Sequence, residues 1–576
     1  MKKRLFCLLL SLIMVLSLAL TGCSEKDADE AMQDTQEEAS EATMTLSMYL
    51  ISENKISAET AAAVQEAVNK ITMSKFKTQL VLRYYTEDEY YDVLAEHMEL
   101  DQEALENSSG KNNKNDKETE SATEEETVLT EYGTVQLKYP TISDNHVDIF
   151  YFSGYDRLMT YIDEDRISSL TDDVENTSTI LYSYIANDYI NRMDEIANGI
   201  YALPVNAPIG EYTYLLLNKE ILAEYNHKAS DFTSLTDDTT QYLLDLVSKF
   251  NPEYVPLRSF SDEDMLDVTY TRYFKTNTDG YLTKDFSVLG GAYDKSWTYL
   301  TPNEWTTCTS IFTDRAFMNQ LTAITNYKEL GYYGTEADAD KPFAVGFMRG
   351  GAELEAVYGD EYELVVLETP TFTANELFDN MFAVSSTSDS VARCMEILTH
   401  LNTNEEFRNL LLYGVEGEHY ELLETEPDED GKTYNYVKRL NEDYIMAPEK
   451  TGNMNIIYPL DTQPHNLTDY YKKQNNQATT DLLLSFTYID YTSETPISPE
   501  HVELLNTYSD EVVKNIKACK TVDELNAYIT EVTTYMSTDA VFKTIAYPVY
   551  AGEGEYVTIR QAYQKWLEGN QMIVVG

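Results

Sequence analysis

An alternation of strand-like and helix-like periods near the amino end constrains this chain most. Residues 44–50, MTLSMYL, form a β-rich alternating run. Residues 57–71, SAETAAAVQEAVNKI, place apolar residues at helical spacing behind Ser57 as a cap. TQLVLRYYT (78–86) reads as a second strand and EDEYYDVLAEHMEL (87–100) as a second helix. HVDIFYFSGYD (146–156) is a third strand that runs into a helical stretch at 156–167. Strand, helix, strand, helix, strand within one region implies right-handed crossovers and a mostly parallel sheet flanked by helices. Open sheets of this kind bind ligands beyond the carboxyl ends of their strands. Between the second helix and the third strand, residues 101–131 are polar and low in complexity, and are expected to be a disordered surface insertion.

The first 23 residues, MKKRLFCLLLSLIMVLSLALTGC, carry Lys2, Lys3 and Arg4, then an apolar run from Leu5 to Leu20. That run is shorter than the roughly 20 residues a membrane span needs, so it reads as an export signal. Leu20-Thr21-Gly22-Cys23 resembles the bacterial lipobox, which implies that residues 1–22 are a lipoprotein signal peptide and that Cys23 is lipidated. Residues 23–43 follow as an acidic tether with few large apolar groups. No later stretch reaches 18 apolar residues.

Charge excludes one class of partner. Of 576 residues, 42 are Lys or Arg and 99 are Asp or Glu, a formal net charge of −57, so nothing supplies the basic footprint a nucleic acid requires. An anionic membrane surface would repel the same body, so any membrane attachment must come from acyl chains. The aromatic fraction is dominated by 46 Tyr, expected mostly in cores, with a few rings at strand ends as ligand platforms. Beyond Cys7 and Cys23, the cysteines Cys308, Cys394 and Cys519 are far apart and odd in number, which argues against a disulfide framework. No CxxC, clustered His, HExxH, GxSxG, P-loop or full dinucleotide fingerprint occurs, so no metal, cofactor or catalytic residue is expected.

Six collinear segments carry a resemblance: VDIFYFSG (147–154), GIYALPVN (199–206), YLLLNKEIL (214–222), AVSSTSDSVARCMEILTHLNTNEEFRNLL (383–411), YGVEGEHYEL (413–422) and TGNMNIIYP (451–459). In this order they resemble the extracellular solute-binding lipoproteins of ABC importers, the larger class linked to sugar and oligosaccharide uptake. Tyr413-Gly414-Val415-Glu416-Gly417-Glu418-His419-Tyr420 is the most specific of the matches. The resemblance implies a periplasmic-binding-protein-like α/β fold of two lobes joined by a hinge, which close on a ligand in the cleft between them. Lobe one would comprise 44–208 with 378–460, and lobe two 209–377 with 461–576, including a helical carboxyl region. The 204–212 and 378–388 segments are the expected hinge crossings.

Candidate ligand-binding residues lie at strand ends and crossings, where rings can stack on sugar faces and fixed polar groups can pair hydroxyls. Tyr155 and Asp156 follow the third strand, although Asp156 could instead cap a helix with Tyr155 on the surface. Asn206 and Tyr212 flank the first crossing, with a turn-former and a core ring as the plainer reading. Phe347 and Arg349 sit where PFAVGFMRGG turns, and Arg349 could equally form a surface ion pair. Asp379 and Asn380 precede the return strand. Trp297 and Trp305 could stack on a sugar or fill the core of lobe two. Glu416 and His419 read as structural, bonding backbone or each other within a glycine-bearing turn. The resulting expectation is a monomeric, lipid-anchored carrier on the extracellular face of the cell membrane that hands a small-molecule solute, a sugar or oligosaccharide, to ABC permease subunits. A surface glycoside hydrolase, a peptide-binding lipoprotein and an adhesion protein are the competing readings.

Overall fold

The computed structural model describes residues 43–109, 123–130, 133–185, 187–260, 285–291, 309–428, 431–480 and 498–540, with 272, 273, 275, 276, 283 and 542. The strands that position the site are, in chain order, β1 (Met44–Ser52), β2 (Thr78–Thr86), β3 (Ile149–Phe152), β4 (Leu203–Pro204), β5 (Tyr212–Asn218), β6 (Val255–Ser259), β7 (Phe343–Gly350), β8 (Tyr362–Glu368) and β9 (Met381–Val384). The helices are α1 (Ala58–Phe76), α2 (Glu87–Ser109), α3 (Tyr155–Asp163), α4 (Asp238–Phe250), α5 (Arg315–Glu329), α6 (Val391–Thr403), α7 (Glu405–Tyr413), α8 (Leu467–Gln477), α9 (Pro499–Ala518) and α10 (Val522–Thr538). The chain divides into two units, unit one from Met1–Ala207 and Phe378–Thr468, and unit two from Pro208–Leu377 and Asp469–Gly576.

Unit one is built on a sheet of order β2-β1-β3-β9-β4. β1 runs parallel to β2, from Met44 opposite Thr78 to Ser52 opposite Thr86, and parallel to β3. β9 returns antiparallel between β3 and β4. Every residue of β1 except Met44, and all of β3 and β9, is buried, as befits strands covered on both faces. α1 starts where expected, because the Ser57 Oγ accepts the Thr60 N–H at 3.1 Å. It buries Thr60, Val64, Val68, Thr72 and Phe76, a stripe at helical spacing, and stops at Lys77, which turns left-handed at φ 50°.

The expectation of disorder across 101–131 is corrected at both ends. α2 continues to Ser109, because Asp101 is buried and accepts hydrogen bonds from His146 and the Val147 N–H. Strands Thr123–Thr130 and Gly133–Pro140 pair antiparallel, Thr123 opposite Pro140 and Thr130 opposite Gly133. Their Thr-Val-Leu-Thr and Thr-Val-Gln-Leu stretches have the β-branched, alternating character of a hairpin. Residues 110–122 lie outside the described part.

Unit two holds a sheet of order β8-β5-β7-β6. β7 is parallel to β6, while β5 lies antiparallel to both β7 and β8, so this sheet mixes both senses. Its core joins Leu215 and Leu217 of β5 to Leu243, Leu244 and Val247 of α4, with Phe347 of β7. A second cluster packs Leu321 of α5 against a helical hairpin. α9 contributes Leu505, Val512 and Ile516, and α10 Leu525, Ile529, Val532 and Met536, two stripes that recur every three to seven residues.

Candidate functional site

In unit one the carboxyl ends of the parallel strands meet along one edge, and the returning chain enters there too. Met381, the first residue of β9, lies opposite both Phe152 and Pro204. Phe378–Asn380 therefore arrives beside Ser153–Asp156 and Val205–Asn206. The Gly154 N–H donates to the Phe378 carbonyl at 2.8 Å and the Val205 N–H to the Asn380 carbonyl at 2.9 Å. The Tyr151 hydroxyl donates to Asn380 Oδ1 at 2.7 Å. Burial foremost, then the neighbouring Tyr91, Glu449, Glu87 and Asp379, holds the Tyr151 phenol above its ordinary range.

Of the five candidates in this unit, Tyr155, Asp156, Asn206, Asp379 and Asn380, the structure gathers all at the same edge but exposes them unequally. The α3 cap position falls to Gly154 at φ 100°, not to Asp156. Tyr155 turns inward, buried, with its ring 5.1 Å from that of Phe378. Asp156 and Asp379 are exposed and Asn380 is half-buried. Asn206 is buried; its Nδ2 donates to the Tyr184 carbonyl and to Asn453 Oδ1, and its carbonyl accepts the Met454 N–H at 2.9 Å. The Asn206 Oδ1 has no hydrogen-bond partner among the described residues.

Residues 442–456 complete this edge, which single-sequence reading did not anticipate. The Glu53 N–H donates to the Ile445 carbonyl at 3.0 Å and Asn54 Nδ2 to the Glu442 carbonyl at 2.7 Å. Lys450 Nζ lies 2.8 Å from Glu87 and 3.8 Å from Glu53. Arg157 stacks over the Tyr91 ring, 3.8 Å from its centroid, and donates to the Ser153 carbonyl. Beneath them the fully buried Arg408 donates to the carbonyls of Pro448 (2.7 Å), Gly452 (3.1 Å) and Asn453 (3.0 Å). Burial lowers the Arg408 pKa to about 10, which still leaves it charged at neutral pH. Glu53 and Glu87 directly follow β1 and β2, and that position was the available signal. Nothing local in the sequence ties Lys450 to them.

In unit two the corresponding strand end is shaped by Tyr212, Arg349 and Glu353. The strand at 342–348 was expected to turn after Met348, but β7 runs to Gly350, paired with Tyr212. Phe347 is therefore mid-strand and wholly buried in the core. Tyr212 is also buried, its ring 5.1 Å from Tyr214 and its hydroxyl donating to Gln477 Oε1 at 2.8 Å. α8 holds the incoming chain, since Gln474 Nε2 donates to the Gly210 carbonyl at 2.7 Å and Asn475 Oδ1 accepts the Ile209 N–H at 2.8 Å. The half-buried Arg349 has its Nε 3.8 Å from the exposed Glu211. Burial, then the charge of Glu211, raises the Glu353 carboxyl pKa. Trp297 and Trp305 lie outside the described residues, as do Cys23 and Cys308; the described Cys394 and Cys519 are free and buried.

Two histidines are occupied structurally. His419 is buried, and its Nδ1 accepts the Val415 N–H at 2.9 Å, closing the turn whose glycines, Gly414 and Gly417, adopt φ 82° and 80°. His146 is clamped between Asp101 (Nδ1, 3.0 Å) and Asp148 (Nε2, 3.2 Å). Asp148 also accepts the Ser47 N–H at 2.8 Å and the Ser388 hydroxyl, and Asp101 accepts the Thr387 hydroxyl at 2.6 Å. Burial would depress the His146 pKa, but the hydrogen bonds and charges of Asp101 and Asp148 push it up to about 10. These contacts sit at the amino ends of β1 and β3, away from the edge described above. No helix among the described residues is long and apolar enough to cross a membrane.

No protein-family model matches the chain. It is similar to a carbohydrate ABC transporter substrate-binding protein of Streptococcus pneumoniae serotype 4 (strain ATCC BAA-334 / TIGR4), 23% identical over 377 residues, which covers 62% of this chain and 70% of the relative. Among solved structures it is similar to the N-glycan transport solute binding protein (NgtS) from Streptococcus pneumoniae, with a TM-score of 0.55 and 18% identity over 92% of this chain and 100% of that one. The chain thus has the two-lobe α/β fold of that solute-binding protein.

Proposed function

We propose that this chain is a solute-binding protein that captures a sugar or oligosaccharide outside the cell and delivers it to an ABC permease. The observation that carries the reading is the strand-end edge of unit one, on a chain similar over 377 residues to a carbohydrate ABC transporter substrate-binding protein. That edge offers what a hydroxyl-rich ligand needs: the carboxylates of Asp156 and Asp379, the amide of Asn380 and the Tyr91 ring, with Asn206 buried beneath and tying the 442–456 segment to the edge. In unit two, Arg349 is the polar group placed to meet a ligand, while Tyr212, Tyr155 and Phe347 shape the surfaces from beneath. Capture is a shift of population toward the liganded state, with no bond made or broken. We further assign Cys23 as the lipidated residue that tethers a monomer to the outer face of the cell membrane.

The deciding measurement is a thermal shift of the purified protein lacking residues 1–22, against monosaccharides, oligosaccharides, peptides and amino acids. A ligand at 100 times its Kd adds about 2.7 kcal/mol by mass action, an upward shift of several degrees in Tm. A response to peptides alone, or to none of the classes, refutes the sugar reading. Release of a Cys23→Ala variant into the medium supports the anchor, and retention at the membrane refutes it.

A further inference from the structure

We infer that the strand-end edge of unit one selects uncharged saccharides and rejects anionic ones, an inference that rests on the proposed sugar-binding function. Glu53, Glu87, Glu449 and Asp379 stand at this edge against two cations, and both cations are already committed. Lys450 is shared by Glu87 at 2.8 Å and Glu53 at 3.8 Å. Arg157 lies over the Tyr91 ring and donates to the Ser153 carbonyl. A uronate, sulfate or sialate group needs a forked or point cation free to meet it, and these two cations are not free. Arg408, the next cation beneath the edge, is fully buried; its Nε and Nη2 donate to three backbone carbonyls, and its Nη1 is buried out of reach of a ligand.

The neutral groups at the same edge point the other way. Asn206 is 5% exposed and keeps its Oδ1 without a partner among the described residues. That oxygen is itself buried, so it adds a neutral acceptor dipole beneath the edge, not a contact that a ligand reaches. Asn380 Oδ1 already accepts the Tyr151 hydroxyl, and the exposed carboxylates of Asp379 and Glu87 carry lone pairs beyond their present contacts that can accept from sugar hydroxyls. The carboxylates at this edge therefore accept hydrogen bonds from the hydroxyls of a neutral sugar and repel a carboxylate of similar size.

The test is calorimetric titration of the protein lacking residues 1–22 with matched tetrasaccharides, namely maltotetraose, mannotetraose and chitotetraose against tetragalacturonate and tetramannuronate. The expected result is binding to at least one neutral probe and roughly tenfold or greater weakening for the uronates at about 0.1 M salt. The gap should narrow toward 1 M, where the Debye length falls from about 10 Å to about 3 Å. It should also narrow in a Glu87→Gln, Glu449→Gln double variant, read as the ratio of uronate to neutral affinity, with circular dichroism confirming the fold. Uronates that bind as tightly as neutral probes, or a gap that neither salt nor the variant changes, overturns the inference while leaving sugar binding intact. Absence of binding to every saccharide overturns the sugar reading itself, and this inference with it.

Discussion

The Asp101–His146–Asp148 clamp makes a prediction that can be worked through in full. His146 has 14% of its side chain exposed and a pKa of about 10 in the folded chain, against an ordinary value of 6.5. Because the folded pKa is the higher one, the stabilisation is fully present below about pH 6.5 and is lost as pH rises through about 10. At about 1.36 kcal/mol per pK unit the ceiling is about 5 kcal/mol. Partial exposure lowers that ceiling, and the same contacts also hold the Asp101 carboxyl down and must be counted once, so a contribution of about 2–3 kcal/mol is expected. Between pH 7 and 9 stability should fall with pH by up to about 1.4 kcal/mol per unit, the slope of one extra bound proton in the folded state. The direct assay is NMR of the imidazole Cε1–H, assigned by its disappearance in His146→Gln, which should show no titration from pH 5 to 8.5. In His146→Gln two buried carboxylates face each other without a cation, so that variant should lose about 3–5 kcal/mol at pH 7 and partly recover on acidification. A wild-type ring that titrates near pH 6.5, or a variant whose stability has the same pH slope as wild type, would refute the clamp.

Other substitutions test the remaining geometry. Gly414→Ala and Gly417→Ala both place a side chain at positive φ, but only at Gly414 would the new Cβ meet His419 Nδ1, at 2.6 Å, while Gly417 faces open space. Urea midpoints should therefore show a loss of about 2–4 kcal/mol at Gly414 and about 1 kcal/mol at Gly417. Arg408→Met should leave the carbonyls of Gly452 and Asn453 without the Arg408 donors and that of Pro448 with only the Thr451 N–H, costing about 3–5 kcal/mol and accelerating amide exchange across 448–456, which lines the candidate edge. Leu525→Ala in the helical hairpin of unit two should cost about 2–5 kcal/mol by thermal denaturation and leave the unit-one edge unaffected.

The parts of the fold legible in sequence are those whose signal is local. The alternation at β1 and the Ser57 cap of α1 sit in contiguous residues, and the structure forms both. The turn at 413–420 was legible for the same reason, since Gly414 and Gly417 shape it and His419 bonds the Val415 N–H four residues back. The tyrosine surplus is divided, contrary to the expectation of a mostly buried set: Tyr49, Tyr90, Tyr139, Tyr151, Tyr189, Tyr212, Tyr214, Tyr327 and Tyr444 are among the largest fully buried side chains, whereas most of the described tyrosines, Tyr84, Tyr91 and Tyr242 among them, are half-buried or exposed.

What the sequence could not disclose depends on partners far along the chain. The alternation of β1 says nothing of what its polar residues meet, and Ser47 is buried beside an acid 101 residues away that accepts its N–H. Asp101 looked like the start of a solvated acidic run, and only the arrival of His146 shows why the helix continues through it. Phe347 was placed at a strand end because glycines follow it, whereas pairing with β5 carries the strand to Gly350 and buries the ring. The same limit governs the candidate edge. Glu53, Glu87 and Lys450 come from segments up to 397 residues apart, and their charges are interpretable only once Lys450 is seen spent on the two acids. With a net charge of −57 the presence of carboxylates at a strand end carries no information by itself. Their functional content lies in the cations they have already taken, because a committed cation is one that an anionic ligand cannot recruit without breaking the contacts that hold the edge together.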